Sequence, residues 1–197
     1  MKKLFLMVAF AIFSSFQQKA EACTGITLRT TNGSPVTART IEWAGNDLES
    51  RYTIVPRGYS QRSFTPSGEK DGMTFTSLYG YVGLSVEKAE FVVEGINEAG
   101  LAAGLFYFPS YGEYESYSED SRESSISDLQ LVSWILSNFK SIDEMKKAIY
   151  GIHIVTIDHR GSTVHWRITE PSGRQVVLDF IRENIRSSPN KLSVIPK

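Results

Sequence analysis

The chain has 197 residues and one cysteine, with 21 basic against 22 acidic side chains for a formal net charge of −1. That length suits one domain with a substantial core and argues against two. The balanced charge, with no basic block, gives no reason to expect nucleic acid or an anionic membrane surface as a partner.

Met1 to Ala22 has the organisation of a secretory signal. Lys2 and Lys3 precede an apolar run from Leu4 to Phe13, and Ala20-Glu21-Ala22 closes the segment with small residues flanking one position. The run is far shorter than the roughly 20 residues a membrane span requires, so stable membrane anchoring is not expected. A lipoprotein signal also ends before a cysteine, but Ala20 and Glu21 fit that pattern poorly. The expectation is an exported protein, periplasmic or secreted, in which cleavage makes Cys23 the first residue.

A leading cysteine carries a thiol and a free α-amine on the same residue. An unperturbed α-amine titrates near ~7.7–8.0 and a thiol near ~8.5, so the amine is matched to serve as base for its own side chain. A lone thiol in an oxidising compartment cannot form an internal disulfide, which directs attention to chemistry.

From Thr24 to Trp43 the pattern is strand, turn, strand, with Asn32-Gly33 as the turn. A two-residue turn places Cys23 opposite Glu42, with Arg39 one step inside the ladder. Residues three apart on a strand point to opposite faces, so Arg39 and Glu42 both reach the thiol only if the strand breaks near Ile41. Tyr52 to Val55, Met73 to Ser77 and Phe91 to Glu94 read as further strands, separated by the glycine- and proline-containing stretches Pro56 to Gly72 and Tyr79 to Gly83. Tyr111 to Ser125 reads as a solvated loop whose tyrosines border a pocket or lie on the surface. Leu129, Val132, Leu136 and Phe139 recur at helical spacing. Ser141 with Glu144 forms a capping box before a second helix, which Gly151 stops. Val164, Trp166 and Ile168 alternate with His165 and Arg167, and Pro171-Ser172-Gly173 turns the chain into Gln175 to Ile181. Arg182 to Lys197 loses this periodicity and reads as a tail.

The three histidines, His153, His159 and His165, lack zinc-site spacing and read as surface or locally bonded residues, so no metal is assigned. Gly95, Gly100 and Gly104 lie in strand-like sequence with no following lysine, unlike a phosphate loop. No Gly-x-Ser-x-Gly elbow occurs. Asn97 reads as a turn residue.

Cys23-Thr-Gly-Ile26, Ala38-Arg-Thr-Ile-Glu-Trp43, Val55-Pro-Arg-Gly58 and Gly95-Ile-Asn-Glu-Ala-Gly-Leu101 resemble the choloylglycine hydrolase family of bile salt hydrolases and penicillin V acylases. The likeness continues through Phe106-Tyr-Phe-Pro109, Trp134 to Phe139 and Val164-His-Trp166. It implies an α+β fold, the αββα sandwich of N-terminal-nucleophile hydrolases, and cleavage of a linear amide in a small N-acyl substrate without cofactor. It also implies a domain over 23–197 that is incomplete at its C-terminus, and leaves homo-oligomerisation open. In that family the residue matching Cys23 is the nucleophile, the one matching Arg39 lies beside the thiol, and the one matching Glu42, commonly aspartate, bonds the terminal amine. Tyr107 matches the position whose backbone N–H contributes to the oxyanion hole; penicillin V acylases carry Tyr there and bile salt hydrolases Asn, which favours a nonsteroidal acyl amide. The family's Thr-Asn-x-Pro segment and a later active-site arginine have no match here, and the role is not carried to Asn190. The rival expectation is a catalytically inactive truncated remnant or an exported binding module, with the aromatics from Tyr107 to Tyr117 touching a ligand without turnover.

Overall fold

The computed structural model describes residues 23–42, 47–108, 112–157 and 163–180, with the backbone of 192–194. The signal segment, His159, Asn190 and most of the tail lie outside the described residues. Strands β1 (Gly25–Arg29) and β2 (Pro35–Arg39) form the opening hairpin. There follow β3 (Arg51–Val55), β4 (Ser60–Arg62), β5 (Thr74–Thr76), β6 (Tyr81–Ser85), β7 (Val92–Asn97), β8 (Ala102–Tyr107) and β9 (Ser125–Ser127). Helices α1 (Leu131–Asn138) and α2 (Ile142–Ala148) precede β10 (His153–Val155), β11 (Val164–Thr169), β12 (Gln175–Leu178) and β13 (Leu192–Val194).

Seven strands make one antiparallel sheet in the order β13-β12-β11-β8-β7-β6-β3. Alternation along each strand sends one set of side chains to each face. Ala103 and Leu105 of β8, Trp166 and Ile168 of β11, and Val176 and Leu178 of β12 join α1 and α2 in a single apolar core. Helix α1 is buried along nearly its whole length, because the strands' layer lies on one side and the segment from β4 to β5 bonds to its other flank. Ser63 Oγ and the Phe64 N–H both donate to the Gln130 side chain, and Leu78 N–H donates to the Ser137 carbonyl. At α2 the Ser141 hydroxyl accepts from the Glu144 N–H, as the capping box requires, while Glu144 accepts from the Lys140 N–H.

The hairpin lies against the other face. Thr27 bonds to Gln175 of β12, and Arg29 donates to carbonyls of the β11–β12 turn. The fold is thus α+β, with helices on one face of the large sheet and a two-stranded layer on the other. The hairpin turn differs from the two-residue expectation. Gly25 pairs with Arg39 and Arg29 with Pro35, so the loop contains three residues, Thr31, Asn32 and Gly33, before Ser34 closes back on Thr30. Gly33 takes the left-handed conformation at φ 87° that such a loop needs. The register therefore slips by one residue, and the ladder no longer sets Cys23 opposite Glu42. Strand β2 ends at Arg39, which supplies the break expected near Ile41.

A second difference concerns Tyr79 to Gly83. It was expected to separate strands, yet β6 runs through it, paired on both sides with β3 and β7. Tyr114, in the expected solvated loop, is instead a packing residue. Its hydroxyl donates to the Val164 carbonyl and accepts from the Val164 N–H, and its ring meets Trp166 and Phe180. Burial raises its phenol well above the ordinary range. Asn97 is indeed a turn residue: its carbonyl oxygen accepts from Ala99 and Leu101, and its amide donates to Leu136 and Phe139 at the end of α1.

Candidate active site

Cys23 enters at the start of the hairpin and is half-buried. Its thiol points to the backbone carbonyl of Glu42, 3.7 Å away. The Glu42 side chain is exposed, so it is the carbonyl rather than the carboxylate that meets the sulfur. Across the hairpin, the Arg39 guanidinium lies near enough to Cys23 to interact with it electrostatically.

Arg39 is only 5% exposed at its side chain. It is held by main-chain acceptors: Nη1 donates to Val93 O at 3.0 Å and also to Leu105 O of the large sheet, while Nε donates to the neighbouring Thr40 O at 3.1 Å. Its guanidinium carbon lies over the Phe106 ring, 4.4 Å from the centroid. Burial lowers the guanidinium's proton affinity, against the attraction of Cys23 and Glu94.

The row across β7, β8 and β11 explains what lies beneath. Glu94 faces Gly104, and Gly104 faces Arg167. A side chain at Gly104 would overlap the Glu94 carboxylate, so the absence of one lets that carboxylate lie across β8. Glu94 Oε1 accepts from Arg167 at 3.1 Å, and Oε2 lies 3.9 Å from Arg39. Arg167 also donates to Ile26 O of the hairpin and stacks on the same Phe106 ring at 5.1 Å. Burial, the largest influence on Glu94, raises its carboxyl above the usual range despite both arginines. Carboxyl and Arg39 both move toward neutrality, because the loss of hydration exceeds what pairing returns.

Tyr107 is the last residue of β8, half-buried and opposite Val164. It adjoins Phe106, but its side chain belongs to the other face of the sheet. The structure therefore brings Cys23, Arg39 and the Glu42 backbone together, and sets Tyr107 one residue beyond the ring on which Arg39 rests. Glu94 and Arg167 were not singled out by the sequence. His165 on the same face pairs with Asp179 at 3.3 Å and packs on Phe106 and Phe108, while His153 pairs with Glu115. Among the described residues, no cluster of three metal-ligating side chains occurs, and no helix is long and apolar enough to cross a membrane. Between β2 and the sheet runs an open groove of about 420 Å³, lined by Thr37, Ala38, Arg39, Val82, Glu94 and Ile96 among others.

Residues 23–196 match the model of the linear amide C–N hydrolases, choloylglycine hydrolase family, and the chain belongs to that family. It is 26% identical over 181 residues to a bile salt hydrolase/transferase of Clostridium perfringens, covering 88% of this chain and 52% of the relative. A bile salt hydrolase/transferase of Lactiplantibacillus plantarum is 25% identical, with the same coverage. The chain thus spans about half the length of the curated relatives it matches. Among solved structures, a mutant conjugated bile acid hydrolase from C. perfringens superposes with a TM-score of 0.67 at 23% identity, over 88% of this chain and 51% of that one. Penicillin V acylase from Agrobacterium tumefaciens gives 0.69 at 22% identity, over 86% and 49%. These likenesses show a shared fold over half of the solved chains.

Proposed function

We propose that this chain is exported, begins at Cys23 once the signal segment is removed, and hydrolyses a linear amide bond of a small N-acyl substrate. The observation that carries the reading is a family match that starts at Cys23, with the buried Arg39 guanidinium as the electrostatic neighbour of that residue. The free α-amine takes the thiol proton, and the thiolate attacks the amide carbon, with Arg39 favouring the anion. The Tyr107 N–H donates to the oxygen that becomes negative. The carbon–nitrogen bond then breaks as the α-ammonium returns its proton to the leaving amine, giving a thioester on Cys23. Water, deprotonated by the same amine, attacks the thioester and frees the acid and the thiol. Glu42 holds the α-ammonium once its side chain turns inward. Penicillin-like N-acyl amides lead as substrates, by the tyrosine at 107, and conjugated bile salts follow.

The competing reading is an exported module that binds without turnover. It draws on the match to only half of the relatives' length. Tyr114, committed to the Val164 backbone, weakens it. Intact mass of the secreted protein, followed by incubation with penicillin V and with glycine-conjugated cholate, separates the two. A product beginning at Cys23 that releases free acid, and whose Cys23→Ala variant does not, is the expected result. A mature chain beginning elsewhere, or a correctly processed chain inert to both amides, overturns the reading.

A further inference from the structure

We propose that Glu94 is a positioning residue that fixes the Arg39 guanidinium beside the Cys23 thiol. The proposal deepens the reading of Cys23 as nucleophile and rests on it. Two guanidinium groups, Arg39 and Arg167, share the Phe106 ring at 4.4 and 5.1 Å from its centroid. Like charges on one ring in a poorly hydrated layer repel, as Arg167 does Arg39, and an anion between them offsets that repulsion. Glu94 is that anion: one carboxylate oxygen accepts from Arg167, and the other is buried 3.9 Å from Arg39, accepting no hydrogen bond among the described residues. Neutral acceptors alone hold the rest of Arg39, namely the carbonyls of Val93, Leu105 and Thr40.

The geometry shows why the carboxylate can occupy this place. It projects over Gly104, the one position of the row that leaves β8 without a side chain there. Remove the charge and Arg39 faces Arg167 uncompensated, with open space in the adjoining groove to receive it. The thiol then loses its cationic neighbour.

Cys23 is the sole cysteine, so its alkylation by iodoacetamide reports on one site and requires no turnover. The pH profile of that rate is measured for the unmodified sequence and for Arg39→Gln, Glu94→Gln, Glu94→Asp and Gly104→Ala, with near-ultraviolet circular dichroism to confirm folding. Glu94→Gln is expected to move the profile in the same direction as Arg39→Gln, slowing alkylation at neutral pH about threefold or more, as loss of a thiolate-stabilising cation does. Glu94→Asp restores most of the rate. Gly104→Ala, which keeps every charge but displaces the carboxylate, reproduces the slowing and decides the matter if Glu94→Gln does not fold. An unchanged profile in the folded variants overturns the proposal, and so does faster alkylation, which means Arg39 stays in place and only a negative charge was lost. Because alkylation needs no amide substrate, an inert but correctly responding protein counts against the hydrolase reading and leaves the positioning role intact.

Discussion

On one face of the large sheet, Leu105, Trp166 and Ile168 meet helix α1 in a dry apolar layer. One position along the same strands, on the other face, Gly104, Phe106 and Arg167 meet a hairpin that turns its polar side inward. Thr27, Thr37 and Arg39 face the sheet, while Ile26, Leu28 and Val36 are left at 49%, 60% and 49% exposure. The sheet's own apolar residues on this side, Tyr52 and Ile54 of β3, are 87% and 79% exposed. The contrast teaches that the two faces hold by different forces: the first by apolar burial, insensitive to direction, the second by directed hydrogen bonds and charge pairs. Only the second kind can aim a guanidinium at a sulfur.

Four measurements can break or sharpen that contrast. Trp166→Ala, which empties the apolar side, should cost about 3–5 kcal/mol in denaturant unfolding. A loss under ~1 kcal/mol would mean that the helix face is not the chief source of stability. Gly33→Ala should cost about 1–2 kcal/mol, since φ 87° is strained for any side chain, although nothing surrounds the position. Its effect should also appear as faster hydrogen exchange within the hairpin, with the helices unchanged. The third measurement concerns pH. Glu94 has a raised carboxyl in the folded state, so its contribution is fully present below the ordinary carboxylate range and is lost as pH rises through the folded value. Stability followed by urea titration should therefore fall across that interval, by an amount the two arginines moderate, and Glu94→Gln should flatten the fall. Smallest of all, Leu28→Thr at a site already 60% exposed should alter stability by less than ~0.5 kcal/mol. A large loss there would show that the hairpin's outer row is covered in solution.

Much of the frame was legible in the sequence because it rests on local chemistry. The capping box at Ser141, the turn at Pro171-Ser172-Gly173, the strand from Tyr52 and the turn role of Asn97 all follow from neighbouring residues. Strand β6 was hidden because Gly80 and Gly83 read as breaks, and only pairing on both sides reveals a strand. The short pair β9 and β10 joins residues with no alternation to announce them, in parallel register and far apart in sequence. The one-residue slip of the hairpin came from the Asn32 side chain, which bonds Thr30 Oγ1 and the Ser34 N–H and so favours a three-residue loop. At the site, Arg39 could be singled out by motif, whereas Glu94 and Arg167 could not. A glutamate after two valines and an arginine between Trp166 and Ile168 were the available signs. Their meeting across a glycine depends on the order of three strands, which no local pattern encodes.

The anchoring of Arg39 has a wider consequence. The same guanidinium that lies beside Cys23 is fastened to Val93 and Leu105 of the main sheet, so it serves as a rivet between two layers. Replacing it loosens the joint between hairpin and sheet and, on the proposed reading of Cys23, also removes the cationic neighbour of the thiol, so neither property can be adjusted without the other.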